Sequence, residues 1–179
     1  MSKWLFPIAA VPFLLACASI PAPEGPDDSL VIGCFTLDFP DGFFDQTKRT
    51  ITSGVTLNFI NETTGKKFWI TTSDGFYQFL SNGTDSYLFD SYHLQSSGGS
   101  VGGEFNKNLP LKPHCVVYLG HMTVIYAKPQ KTHKTSMDEK TVYWNYERSV
   151  KMLFNEGELR TYLSSKDPQS PWLDYEVVR

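Results

Sequence analysis

Between Leu30 and Ala127 the chain is cut at short intervals by turn chemistry, and this punctuation limits the fold more than any other feature. Pro40-Asp41-Gly42, Asn61-Glu62-Thr63-Thr64-Gly65, Ser73-Asp74-Gly75, Ser81-Asn82-Gly83 and Ser97-Gly98-Gly99 each offer residues that accept positive φ or bond to their own backbone. The segments between them read as strands: Val31 to Phe39, Thr52 to Ile60, Lys67 to Thr72, Phe76 to Leu80, Ser86 to Leu94 and Val116 to Ala127. Val55, Leu57 and Phe59 alternate with Thr56 and Asn58, the period of a half-buried strand. Val116, Tyr118, Met122, Val124 and Tyr126 continue that period, with Gly120 in register among them. Aromatic residues are 15% of the chain, a bias toward β structure. Short strands at close spacing, with no long even series, predict a mainly β chain folded as an antiparallel β-sandwich.

After Tyr126 the pattern changes. Lys128 to Lys140 is polar and reads as a loop or solvated hairpin, and Thr141 to Tyr146 as a last strand. Val150, Leu153, Phe154, Leu159, Tyr162 and Leu163 recur at three- and four-residue spacings, which predicts C-terminal helices at about 147–165, broken at Gly157 and capping the sandwich.

The run Val55 to Phe68, followed by Thr71 to Leu80 and Gly83 to Phe89, resembles the transthyretin-like or carboxypeptidase-regulatory-like β-sandwich in its order of strands, glycine turns and Asp-Gly-Phe step. The resemblance implies an Ig-like or transthyretin-like sandwich that binds or supports rather than catalyses. Lys112 to Val124 is similar to a strand found in assorted bacterial lipoproteins.

The N-terminus carries an address. Lys3 precedes an apolar segment from Leu5 to Ala16, shorter than the ~20 residues of a membrane span and laid out as a secretory signal. Leu14-Leu15-Ala16-Cys17 resembles the lipobox of bacterial lipoproteins, which implies cleavage after Ala16 and lipidation of Cys17. An ordinary secretory signal cut nearby is the alternative. Ala18 and Ser19 in place of an Asp imply, within that family, delivery to the outer membrane, with the lipid anchor as the membrane partner. The reading divides the chain into a signal peptide at 1–16, a lipidated Cys17 with a Pro-rich tether at 17–29, and one domain at 30–179.

Charge and motifs mostly exclude function classes. The net charge is −3, and the longest basic clusters are Lys48-Arg49 and Lys66-Lys67, so a nucleic-acid partner is not expected. With Cys17 lipidated, Cys34 and Cys115 form an even pair that an oxidising compartment could bridge, the alternative being two small buried hydrophobes. His93, His114, His121 and His133 show no zinc-ligand spacing. His114 and His121 are an odd number of residues apart, on opposite faces of a strand, so no metal or cofactor is expected. No nucleophile elbow, phosphate loop or Cys/His pairing points to an enzyme. Phe43, Phe44, Tyr77, Tyr87, Tyr92, Tyr143 and Tyr146 exceed what one small core readily hides, and Phe43, Phe44, Tyr87 and Tyr92 are candidates for a binding face, the alternative being ordinary core and rim. The function expected is a lipid-anchored envelope module binding an envelope protein or polymer. The alternatives are an envelope hydrolase, with Asp74, Asp85 and Asp90 the first carboxylates to inspect, and a purely structural lipoprotein.

Overall fold

Strand β1 (Asp28–Asp38) sits at the centre of the fold because both of its faces are apolar: every residue from Ser29 to Leu37 is buried. The computed structural model describes residues 19–40, 50–96, 99–127, 130–135, 140–145 and 148–179, with backbone alone at 96, 99, 130–135 and 140–145. Around β1 a mixed sheet forms. β8 (Val116–Tyr126) lies parallel on one side, β5 (Phe76–Asn82) antiparallel on the other, and β2 (Thr50–Ile51) pairs with the end of β1. Beyond β8 come β11 (Arg148–Leu153), antiparallel, and β12 (Val177–Val178), parallel. A second, wholly antiparallel sheet has the order β4 (Lys66–Thr71), β3 (Thr56–Asn61), β6 (Tyr87–Ser96), β7 (Gly99–Asn108). β9 (Gln130–Thr135), in the stretch expected as a loop or solvated hairpin, pairs with β10 (Lys140–Asn145), where a last strand was expected.

The two large sheets close on a core that draws Val31, Phe35 and Leu37 from β1, Val117, Met122 and Val124 from β8, and Leu57, Phe59, Phe89 and Tyr92 from the second sheet. The β-sandwich expected from the sequence is the architecture observed, but not its all-antiparallel pairing, since β8 runs parallel to both β1 and β12. The opposite face of the first sheet has a core of its own. Leu30 and Ile32, with Val116 and Tyr118, pack under Leu159 and Leu163 of helix α1 (Glu156–Lys166) and under Trp172. Asn155 caps α1, its side chain accepting from Glu158 N–H at 3.3 Å, and Gly157 lies inside the first turn without breaking it.

Three expectations are corrected. The C-terminal helices predicted at about 147–165 are one helix, and Arg148–Leu153 is a strand paired along β8. Val150, Leu153 and Phe154 do not cap the core: all three are exposed, the first two on an edge strand and Phe154 just past its end. Alternation along β8 is interrupted. Ile32 pairs with Tyr118 but Cys34 with His121, so an extra residue on β8 forms a bulge at Gly120, whose φ is +78°. Val116 and Tyr118 therefore face α1 while Met122, Val124 and Tyr126 face the sandwich core.

The segment expected as a free tether is held by the body along its described part. Ile20 is buried, Trp172 Nε1 donates to Pro21 O at 2.6 Å, and Gln78 Nε2 donates to Ser19 O at 3.3 Å. Its prolines give an extended path, which suits docking over an apolar face as well as it suits a linker.

Candidate functional site

The Gly120 bulge aims a side chain. By passing one residue through positive φ, β8 turns His121 to the side of the sheet that already carries Cys34 and Thr36 of β1, directly across the parallel pair. A Cβ at position 120 would lie 2.7 Å from Leu153 O, so the bulge needs glycine for space as well as for conformation. α1 then passes over this face and brings Glu158, in its first turn, to the histidine.

The result is a compact donor cluster: one ligand atom each from Cys34, His121 and Glu158, all within 4.8 Å of one another. His121 is hydrogen-bonded on one side and faces a carboxylate on the other. Its Nε2 and Thr36 Oγ1 are hydrogen-bonded at 2.8 Å, and its Nδ1 faces Glu158 Oε1 at 3.8 Å. Cys34 is buried while His121 and Glu158 are half-buried, so the cluster has a closed floor and an open rim. The rim is a shallow depression lined by Phe76, Asn155, Gly157, Glu158, Thr161 and Tyr162, with the Phe76 and Tyr162 rings stacked at 3.8 Å.

The electrostatics of the floor are unusual. Burial, and after it the negative charge of Glu158, pushes the Cys34 thiol up to about 12, against a smaller pull downward from Thr36 and the Phe35 backbone. Nearby, Tyr77 and Tyr118 carry hydroxyls that are buried without a hydrogen bond. Burial raises the pKa of both, with Cys34 among the smaller causes. Gly33 makes room for the first: a Cβ there would lie 2.4 Å from the Tyr77 hydroxyl. A reactive cysteine needs a cationic, partly exposed setting, and this one has the reverse. The same negative, underpaired surroundings suit a cation.

Most residues singled out from the sequence have other roles. Cys34 and Cys115 are buried free thiols, which corrects the possible bridge in favour of the alternative, two small buried hydrophobes. Ser29, next to Cys115 in space, is five residues along β1 from Cys34. At ~3.3 Å per residue that is far beyond the ~7 Å a disulfide spans. Cys115 Sγ instead donates to Lys112 O at 2.8 Å. Tyr87 and Tyr92 belong to the core, at 7% and 2% exposure, which removes them from a binding face. Tyr92 Oη and Tyr126 Oη bond at 2.6 Å, and Arg148 Nη1 donates to Tyr92 Oη. Phe43, Phe44, Tyr146 and Cys17 lie outside the described residues, as does the Tyr143 side chain. Asp74, Asp85 and Asp90 engage different neighbours, Lys166, Asn61 and Ser91 respectively, and share none that would make an acid pair.

His121 and Glu158 were not legible as partners of Cys34, because they stand on three separate elements and the bulge is invisible to a period-two reading. The one signal was Gly120 itself, a glycine inside an otherwise apolar strand. No protein-family model, curated protein or solved structure matches the chain, and its functional reading rests on this geometry.

Proposed function

We propose that this protein is a lipid-anchored cell-envelope module that binds a divalent transition metal, Zn2+ the best fit, through Cys34, His121 and Glu158. The convergence of sulfur, nitrogen and carboxylate donors under α1 carries the reading. A thiolate, an imidazole and a carboxylate together select zinc over calcium or magnesium, which prefer oxygen shells. Tetrahedral zinc with bonds of 2.0–2.3 Å needs its ligand atoms about 3.5 Å apart. The 3.8 Å between His121 Nδ1 and Glu158 Oε1 is close to that, and side-chain rotation closes the rest. With Nδ1 on the metal, Nε2–H donates to Thr36 Oγ1, the outer bond that orients a ligating histidine. Three protein ligands leave a fourth position at the open rim for water or a small ligand.

The anchor belongs to the same proposal. Lipidation at Cys17 would hold the body at the outer membrane, and zinc would bind by displacing the proton that burial holds on Cys34. The test is equilibrium dialysis against zinc at neutral pH. One tightly bound equivalent is expected, falling at least about tenfold in affinity in Cys34→Ser and in Glu158→Gln, since removing a ligand from a three-ligand set costs more than removing its outer partner. Unchanged binding in both variants contradicts the proposal.

An envelope protein or polymer as a further partner is a second reading, favoured by Trp69. This ring is 72% exposed on β4, an edge strand, beside Lys66 and Lys67. An aromatic so exposed at a sheet edge suits stacking on a partner. Loss of envelope cross-linking in Trp69→Ala is the expected result.

A further inference from the structure

A second cavity lies away from the donor cluster, where the sandwich opens beside the end of β11. It has a volume of about 270 Å3, and Phe89, Leu119, Met122, Met152 and Phe154 form its apolar wall. Two cations stand on its lining, Lys107 and Arg179, in a chain whose net charge is −3. Lys107 has no carboxylate partner among the described residues, its Nζ meeting only Met152 Sδ at 3.7 Å. Arg179 lies over the Phe154 ring, 6.0 Å from its centroid, and forms an ion pair of 3.8 Å with Glu156 for which an incoming anion would compete. The wall also includes Tyr118, whose buried hydroxyl approaches the Asn155 backbone without closing a hydrogen bond.

We infer that this cavity binds an amphiphilic anion with one short acyl chain, the chain among Leu119, Met122 and Met152 and the carboxylate between Lys107 and Arg179. Apolar walls select the chain, and the pair of cations at the mouth selects its charged end. Size selects against anything larger: the volume is at the lower end for small-molecule sites, too small for a two-chain lipid. Phe154, 45% exposed, stands at the rim, so an apolar chain passes a ring rather than bare backbone on entry. The inference is independent of the metal centre, whose donors do not line this cavity.

The test uses octanoate, octanol and octylammonium against the metal-free protein by calorimetry. Octanoate is expected to bind at least about fivefold more tightly than octanol, the worth of one or two partly exposed charge contacts, and octylammonium more weakly than either. Lengthening the chain from butanoate to octanoate is expected to tighten binding by up to about fourfold per methylene until the cavity is full. The double variant Lys107→Gln, Arg179→Gln, both exposed positions, is expected to erase the preference for octanoate while leaving octanol unchanged. Equal affinity for octanoate and octanol, no gain with chain length, no binding of octanoate at millimolar concentration, or an undiminished preference in the double variant would each overturn the inference.

Discussion

Gly120 illustrates how one residue decides where chemistry can occur. With φ at +78° and Leu153 O within 2.7 Å of its missing Cβ, Gly120→Ala should cost about 1–3 kcal/mol from conformation alone, with the clash added. Chemical denaturation checks this, and a neutral Gly120→Ala would mean that the bulge does not hold His121. Cys34 gives a second prediction at this scale. Its thiol is pushed from 9.0 to about 12 in the fold, so the folded state retains its proton at pH values where the unfolded chain has lost it. That contribution is complete below about pH 9 and disappears as pH rises toward 12, because ionisation then favours the unfolded chain. In metal-free buffer the stability of the wild type should fall more steeply between pH 8 and 10.5 than that of Cys34→Ala. Equal slopes would show that burial does not act on this thiol. Little of the site was legible from residues taken singly: Cys34 reads as half a disulfide, His121 as an isolated histidine, and Glu158 as a solvated helix charge.

Elements were legible wherever local pattern and tertiary role agree. The turn-bounded strands β1, β3, β4, β5, β6 and β8 were placed by alternation and turn residues alone. β7 escapes a local reading because its glycines imitate a turn, yet packing favours one of them: a Cβ on Gly102 would press on the backbone at Tyr92 O, while one on Gly103 would displace the Arg148 guanidinium. Val150, Leu153 and Phe154 have helical spacing, which points to a helix, whereas the backbone of β11 completes the edge of β8. The helix that does form has a clear role. Leu159 and Leu163 are fully buried over Leu30, Ile32 and Val116, so Leu159→Ala should cost about 2–5 kcal/mol. Ending the chain before Asn155 should expose that face and cause aggregation, read by size-exclusion chromatography. A monomeric truncated chain with an unchanged melting temperature would make α1 an appendage.

At the scale of the whole molecule, the docked N-terminal segment alters the expected relation to the membrane. Ser19 is two residues from Cys17, and its carbonyl is already bonded to Gln78, which would leave a lipidated body within roughly 10 Å of the bilayer surface rather than on a long tether. A chain beginning at Leu30 lacks Ile20 and the Pro21–Trp172 bond, and should melt below one beginning at Ser19. Equal melting temperatures would show the docking to be incidental. The lipobox reading is tested by metabolic labelling with a fatty-acid analogue, where Cys17→Ser should lose the label. X-ray absorption at the zinc edge of the loaded protein tests the proposed metal centre most directly. The prediction is one sulfur neighbour at ~2.3 Å with nitrogen and oxygen neighbours at ~2.0–2.2 Å, the sulfur lost in Cys34→Ser. A shell of oxygen alone, or a sulfur neighbour that survives that substitution, would contradict it.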